Sequence, residues 1–240
     1  MQQLALELAP PPVPTLEGFF PGRNATAVAA LREALAGGER AVYLWGEPGS
    51  GKTHLMRAAV SEAETLGRTA LYIGAPHAGL SPTPVEDLNK GARPPSPKSD
   101  FPVYDVLAVD DVERLDIVAQ LALFDAFNAA RTANGCLIFA GAPPAAELPL
   151  REDLRTRLGS GVSLRLVALD DQEKAAALAC HAAQRGLMLG PDIVAYVLTH
   201  CRRDMGTQVG VLDALDRYSL EQKRPVTLPL VRQALKQLAI

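Results

Sequence analysis

One octapeptide limits the fold more than any other stretch: Gly46-Glu47-Pro48-Gly49-Ser50-Gly51-Lys52-Thr53. It fits G-x-x-x-x-G-K-[ST] throughout. The apolar run Ala41-Val42-Tyr43-Leu44-Trp45 precedes it, and a helical pattern from Lys52 to about Leu66 follows. Strand, glycine-rich turn and helix are the context a phosphate-binding loop needs. The glycines let the backbone wrap closely, so that successive N–H groups face phosphate oxygens. The helix that begins near Lys52 adds the positive end of its dipole. Lys52 is expected to reach the β and γ phosphates, and Thr53 to hold Mg²⁺ through its hydroxyl.

A loop of this kind works with carboxylates at the tip of another strand. Val106-Leu107-Ala108-Val109-Asp110-Asp111 supplies them. Four apolar residues bury the strand, and two carboxylates emerge at its end. Asp110 is expected to bind Mg²⁺ through water, and Asp111 to orient an attacking water.

The rest of the chain reads as strands alternating with helices, then helices alone. Strands are expected at 41–45, 69–73, 103–109, 136–140 and 162–166. Helices are expected at 24–35, 52–66 and 116–131, and after Leu169 at about 173–185, 191–200, 204–222 and 227–238. Asp170 and Asp171 stand where they can cap the first helix of the tail. This order predicts an α/β fold, a five-stranded parallel sheet between helices, followed by a small all-helical domain. The domain boundaries expected are 19–168 and 169–240. Residues 76–102 are crowded with Pro, Ser, Gly and Lys and read as a long loop or insertion.

Composition narrows the class. The chain has 240 residues, enough for one large domain or two small ones. A net charge of -3 gives no global sign of a nucleic-acid binder. The three cysteines, Cys136, Cys180 and Cys201, form no C-x-x-C pair, and the four histidines match no zinc pattern. No apolar run approaches a membrane span, and the first residues do not read as a signal peptide. A cytoplasmic protein without a membrane partner is expected.

The chain opens MQQLALEL, and Pro10, Pro11, Pro12 and Pro14 follow. The prolines predict a stiff, extended linker over 10–18. Residues 1–9 then read two ways, as an edge strand or as a peptide held out for a partner.

Several short segments together resemble one family. They are Phe20-Pro21-Gly22-Arg23-Asn24 before the first helix, Lys52-Thr53-His54-Leu55 after the loop, and Asp110-Asp111-Val112-Glu113 after the third strand. Phe124-Asp125-Ala126-Phe127-Asn128 on the next helix is the fourth. The combination resembles the AAA+ domain of bacterial DnaA-type replication initiators, a P-loop NTPase fold with a helical lid. A full initiator continues into a helix-turn-helix domain, whereas this sequence stops at Ile240. Leu169-Asp170-Asp171-Gln172-Glu173-Lys174 and the segment from Pro225 to Val231 look like the lid of the Hda family, regulators that inactivate DnaA.

The resemblance implies ADP or ATP with Mg²⁺ as ligands. It adds Asn24 and His54 to the nucleotide-binding residues. It implies two partners, DnaA and the β subunit sliding clamp of DNA polymerase, with DNA met only through the clamp. Self-association is compatible with it. Family members carry a Q-L-x-L-x-L peptide for the clamp, and Gln3, Leu4, Leu6 and Leu8 stand in that form. The leucines would serve as apolar anchors in a groove, each worth roughly 1.5–3 kcal/mol before ordering costs.

In the segment Asp153-Leu154-Arg155-Thr156-Arg157-Leu158-Gly159, Arg157 matches the family's arginine finger. It would act in trans, on ATP bound to DnaA. Ala140 and Ala142 stand at the end of the fourth strand and just after it, where the family tends to place polar residues, and Gly206 stands where it carries a sensor arginine. The chain's own hydrolysis is therefore expected to be weak or absent. The expected function is negative regulation of replication initiation, through hydrolysis of DnaA-bound ATP. The rival is an autonomous ATPase of the helicase-loader or initiator type.

Overall fold

The computed structural model describes residues 13–38, 40–74, 103–201, 205–222 and 226–238. The clamp-peptide residues Gln3, Leu4, Leu6 and Leu8, the prolines 10–12 and the expected 76–102 insertion lie outside them. One compact unit spans Val13–Ala168, and a second takes in the chain from Leu169 onward.

The first unit is built on five parallel strands: β1 (Ala41–Trp45), β2 (Ala70–Ile73), β3 (Val106–Val109), β4 (Cys136–Gly141) and β5 (Val162–Arg165). Their order in the sheet is β2-β3-β4-β1-β5. The helices are α1 (Ala25–Leu35), α2 (Lys52–Thr65), α3 (Ile117–Thr132) and α4 (Glu152–Leu158).

Side chains alternate between two buried layers, as the strand period of two demands. Val42, Leu44, Val106, Ala108, Ile138 and Ala140 pack with Leu31, Leu55, Met56 and Ala59 of α1 and α2. Tyr43, Leu107, Val109, Leu137 and Phe139 pack with Leu123 and Phe127 of α3 and Leu154 and Leu158 of α4. A sheet buried on both faces needs apolar residues at nearly every strand position. That is why β1, β3 and β4 read as unbroken apolar runs.

Two expectations are corrected. The third strand starts at Val106 rather than Val103, because side chains take over the edge of the ladder. The Asp105 carboxylate accepts the Thr69 backbone N–H and hydroxyl, both at 2.9 Å. The ladder resumes where Val106 N–H donates to Thr69 O at 3.0 Å. The expected linker over 10–18 also ends early. Leu16 is 2 % exposed and sits in the α1/α2 layer, with Phe19 packed against it. Close behind Pro14, this leucine is core rather than linker.

The second unit holds α5 (Asp171–Gln184), α6 (Pro191–His200), α7 (Met205–Gln222) and α8 (Leu228–Leu238). Asp170 and Glu173 form a reciprocal capping box at the start of α5. Pro191 opens α6, where its missing N–H has no intrahelical partner to lose. Leu178, Val197, Leu212, Leu215, Val231 and Leu235 make its core. Within it, Asp213 takes His181 Nε2 and an Arg185 guanidinium nitrogen, each at 2.9 Å. Among the described residues no helix is long and apolar enough to cross a membrane.

Candidate phosphate-binding site

The loop between β1 and α2 is shaped by close approach. A Cβ on Gly46 would meet Leu166 O at 2.2 Å, so only glycine lets the chain leave β1 there. Gly51 caps α2 with φ 99°, and a Cβ on it would lie 2.9 Å from the Phe19 ring. Phe19 in turn lies 5.4 Å from the His54 ring, centroid to centroid. The residues just before α1 therefore rest on the loop.

Lys52 is the first residue of α2 and is 8 % exposed. Its Nζ donates to Gly46 O at 2.6 Å and to Glu47 O at 3.0 Å. Burial pulls its pKa below the usual lysine range, against the pull of Asp110, Asp111 and Glu113. Ser50 Oγ is buried and has no hydrogen-bond partner among the described residues.

The β3 tip meets this loop. Thr53 Oγ1 donates to Asp110 Oδ2 at 2.6 Å. The Tyr72 hydroxyl, from the neighbouring β2, donates to the same oxygen at 2.9 Å. Asp110 Oδ1 accepts the Asp111 N–H at 3.0 Å. Asp110 is 3 % exposed, so each of these bonds matters to keeping a carboxylate there. Burial, with the charge of Asp110, pushes Tyr72 up to about 12, and it donates at any ordinary pH.

Asp111 has φ 48° and ψ 46°, the left-handed region. A short polar side chain tolerates that region at a cost of roughly 1–2 kcal/mol. Burial first, and Asp110 second, raise its pKa. The left-handed turn sends the chain back so that Glu113 reaches β4. Glu113 Oε1 accepts the Ala142 N–H at 3.0 Å, and Ala142 O accepts the Gly46 N–H at 3.2 Å. The peptide at Ala142, where a polar side chain was sought, is thus tied by its backbone to both the loop and the β3 tip. Burial first, and the Glu113 charge second, hold the Tyr43 phenol well above its ordinary range, while its hydroxyl donates to Pro143 O at 2.6 Å.

Asn24 is placed beside this site but its amide is engaged. It is 3 % exposed, its Nδ2 donates to Val167 O at 2.9 Å and its Oδ1 accepts Val167 N–H at 2.9 Å. Its side chain is a staple to the end of the first unit, so any contact it makes to a nucleotide falls to its backbone.

Arg157 belongs to another part of the unit. Its guanidinium donates to Asn128 Oδ1 and lies 4.1 Å from the Phe124 ring centroid and 5.4 Å from that of Phe127. It is half-buried and lines a shallow, open surface depression with Arg151, Glu152, Asp153 and Thr156. The structure therefore gathers Gly46 to Thr53, Asp110 and Asp111 in one place and sets Arg157 against α3.

Sequence reasoning missed Tyr72, Glu113 and the support that Phe124 and Asn128 give Arg157. Its only signals were a hydroxyl near the end of the strand beside β3, and motif residues quoted without a role. The oxygens of Thr53 and Asp110, already converged, are hard donors of the kind Mg²⁺ takes. With the buried ammonium and the unpartnered Ser50 hydroxyl, the residues present fit a Mg²⁺–polyphosphate.

A parallel sheet in the order β2-β3-β4-β1-β5, with a glycine-rich loop after β1 and paired carboxylates after β3, defines an AAA+ P-loop fold. Residues 14–165 match the family of the bacterial DnaA ATPase domain, and residues 171–235 match the Hda lid domain. The chain belongs to the DnaA-related AAA+ family and carries an Hda-type lid. An uncharacterized protein of Haemophilus influenzae is 32% identical over 228 residues, covering 92% of this chain and 93% of that one. A replication initiator DnaA structure, bound to AMPPCP and single-stranded DNA, is 26% identical with a TM-score of 0.64. It covers 88% of this chain and 68% of its own. Domain III of Thermotoga maritima DnaA shares the fold at 20% identity, TM-score 0.68, covering 95% of this chain and 98% of that one.

Proposed function

We propose that this protein is a DnaA-directed regulator. It binds ADP or ATP with Mg²⁺ at its own loop, and it offers Arg157 to the ATP of a bound DnaA. The residues each have one task. The Gly46–Gly51 backbone and Lys52 cradle the phosphates, and Thr53 and Asp110 hold the cation. Mg²⁺ bound there neutralises phosphate charge. Asp111 orients water, yet Ala142, tied to Glu113, offers only its peptide where a polar side chain would read the γ-phosphate. The chain's own turnover is accordingly slow.

The observation that carries the reading is the setting of Arg157. It is half-exposed at an open surface depression, and two aromatic rings and Asn128 hold its guanidinium in place. A preorganised guanidinium at a neighbour's γ-phosphate stabilises charge as it develops, and in related chemistry is worth 10³-fold or more. The Gln3-Leu4-Ala5-Leu6-Glu7-Leu8 peptide brings the protein to the sliding clamp on DNA, which raises its effective concentration near DnaA.

The test combines DNA-loaded clamp, ATP-DnaA and this protein, and follows ATP remaining on DnaA. Wild type should accelerate its loss, and Arg157→Ala should not. Removal of residues 1–9 should abolish the acceleration that the clamp confers. Acceleration that survives Arg157→Ala contradicts the finger. Acceleration that survives the truncation at full strength removes the clamp from the mechanism.

A further inference from the structure

We infer that Glu113 sets the phosphate count at this site: its carboxylate makes the loop take a nucleoside diphosphate in preference to a triphosphate. The inference rests on the nucleotide-binding reading above. A parallel sheet binds its ligand outside the carboxyl ends of its strands. β4 ends there beside β1, with Gly141 opposite Trp45 in the ladder. A Cβ on Gly141 would lie 2.5 Å from the Tyr43 hydroxyl oxygen and 2.8 Å from Glu113 Oε2. The Glu113 carboxylate therefore fills the space that the last residue of β4 would give to its own side chain.

Three carboxylates stand at or just beyond the β3 tip, and they are satisfied unequally. Asp110 accepts two hydroxyls and a backbone N–H, and Thr53 beside it is a cation ligand in the reading above. Asp111 has an Arg114 guanidinium nitrogen at 3.8 Å. Glu113 Oε1 accepts the Ala142 N–H at 3.0 Å, whereas Oε2 is buried with no hydrogen-bond partner among the described residues. Charge on a buried oxygen without a donor is poorly screened, so it acts over a longer distance than a solvated carboxylate would.

That charge lies close to the phosphate loop. Ala142 O accepts the N–H of Gly46, the first residue of the loop, at 3.2 Å, and Lys52 Nζ donates to Gly46 O at 2.6 Å. Only Ala142 and Gly46 stand between Glu113 and the ammonium in this chain of hydrogen bonds. The Glu113 charge acts on that ammonium, along with those of Asp110 and Asp111. Ala140 and Ala142 bring no polar side chain to offset it. A third phosphate adds negative charge to the ligand, and from the β4 side an anion meets it. A diphosphate avoids that repulsion and keeps the loop backbone and Lys52.

The experiment measures dissociation constants of ADP and of AMPPCP, a triphosphate analogue, for the full chain in Mg²⁺. Wild type should bind ADP the more tightly. Glu113→Gln removes the charge and keeps an oxygen for the Ala142 N–H. Its AMPPCP-to-ADP ratio of dissociation constants should fall about tenfold, the order expected of one unit charge about 10 Å away at an effective dielectric of about 20. A ratio within about twofold of wild type overturns the inference, as does a wild type that takes both nucleotides equally. Should Glu113→Gln fail to fold by circular dichroism, Glu113→Ala carries the same comparison, and an unchanged ratio there overturns it equally. A wild type that binds neither nucleotide refutes the nucleotide reading itself.

Discussion

The Arg157 guanidinium carbon lies 4.1 Å from the ring centroid of Phe124, on the face of α3 that also presents Asn128 to it. An arginine side chain in water samples many rotamers. Here the ring and the amide confine it before any partner arrives. Phe124→Ala should therefore lower stimulation of DnaA-bound ATP hydrolysis by about tenfold, since a partly desolvated cation–π contact contributes roughly 1–2 kcal/mol. ADP affinity of the variant should match wild type, because Phe124 touches none of the loop. A single-turnover assay on ATP-DnaA, with parallel ADP titration, checks both halves.

Lys52 supplies the charge the phosphate loop needs, and it is held by two of the loop's own carbonyls. Lys52→Ala should abolish nucleotide-dependent stabilisation. For wild type, ADP at a hundredfold excess over its dissociation constant adds about 2.7 kcal/mol, a melting shift of roughly 5–8 °C. The variant should show no shift in a thermal melt with ADP and Mg²⁺.

Asn24 reads in the sequence as a nucleotide contact, and the structure gives its side chain to Val167. Replacing it leaves a backbone N–H and a carbonyl without their partner. Asn24→Ala should cost about 2–4 kcal/mol of stability, measured by urea unfolding. Asn24→Asp sets a carboxylate oxygen against the Val167 carbonyl and buries a charge, so it should cost at least as much. A variant as stable as wild type would return Asn24 to a purely ligand-facing role.

Cys136 heads β4 at 2 % exposure, and burial pushes its thiol up to about 11. An unfolded thiol ionises near ~8.5. Because the folded value is the higher one, the thiol's contribution to stability is complete below about 8.5 and is lost as pH climbs towards about 11. At about pH 10.5 wild type should have lost roughly 2 kcal/mol more than Cys136→Ala, relative to pH 8, in urea unfolding. Exposed Cys180 should alkylate first in the native protein, with Cys136 and Cys201 protected.

Much of this architecture was legible because it depends on short-range pattern. The loop had to be glycine where a Cβ would strike Leu166 O, and β1 and β4 had to be apolar throughout because helices cover both sheet faces. What was not legible depends on contacts far apart in sequence. Leu16 sits among prolines with no periodicity to mark it, and only tertiary packing makes it core. The start of β3 is decided by the Asp105 carboxylate and Thr69, 36 residues apart. Tyr72 reaches Asp110 across 38 residues, and Asn128 meets Arg157 across 29. The motif around Phe124 was visible as a string of letters, yet its purpose appears only once α4 brings an arginine over it.

Asn24 and Val167 make a knot at the rim of the first unit, one residue before its last, Ala168. The incoming chain ahead of α1 and the outgoing chain beyond β5 are cinched together there. Tension applied to either strand of the rope reaches the other through two hydrogen bonds, without travelling through the sheet.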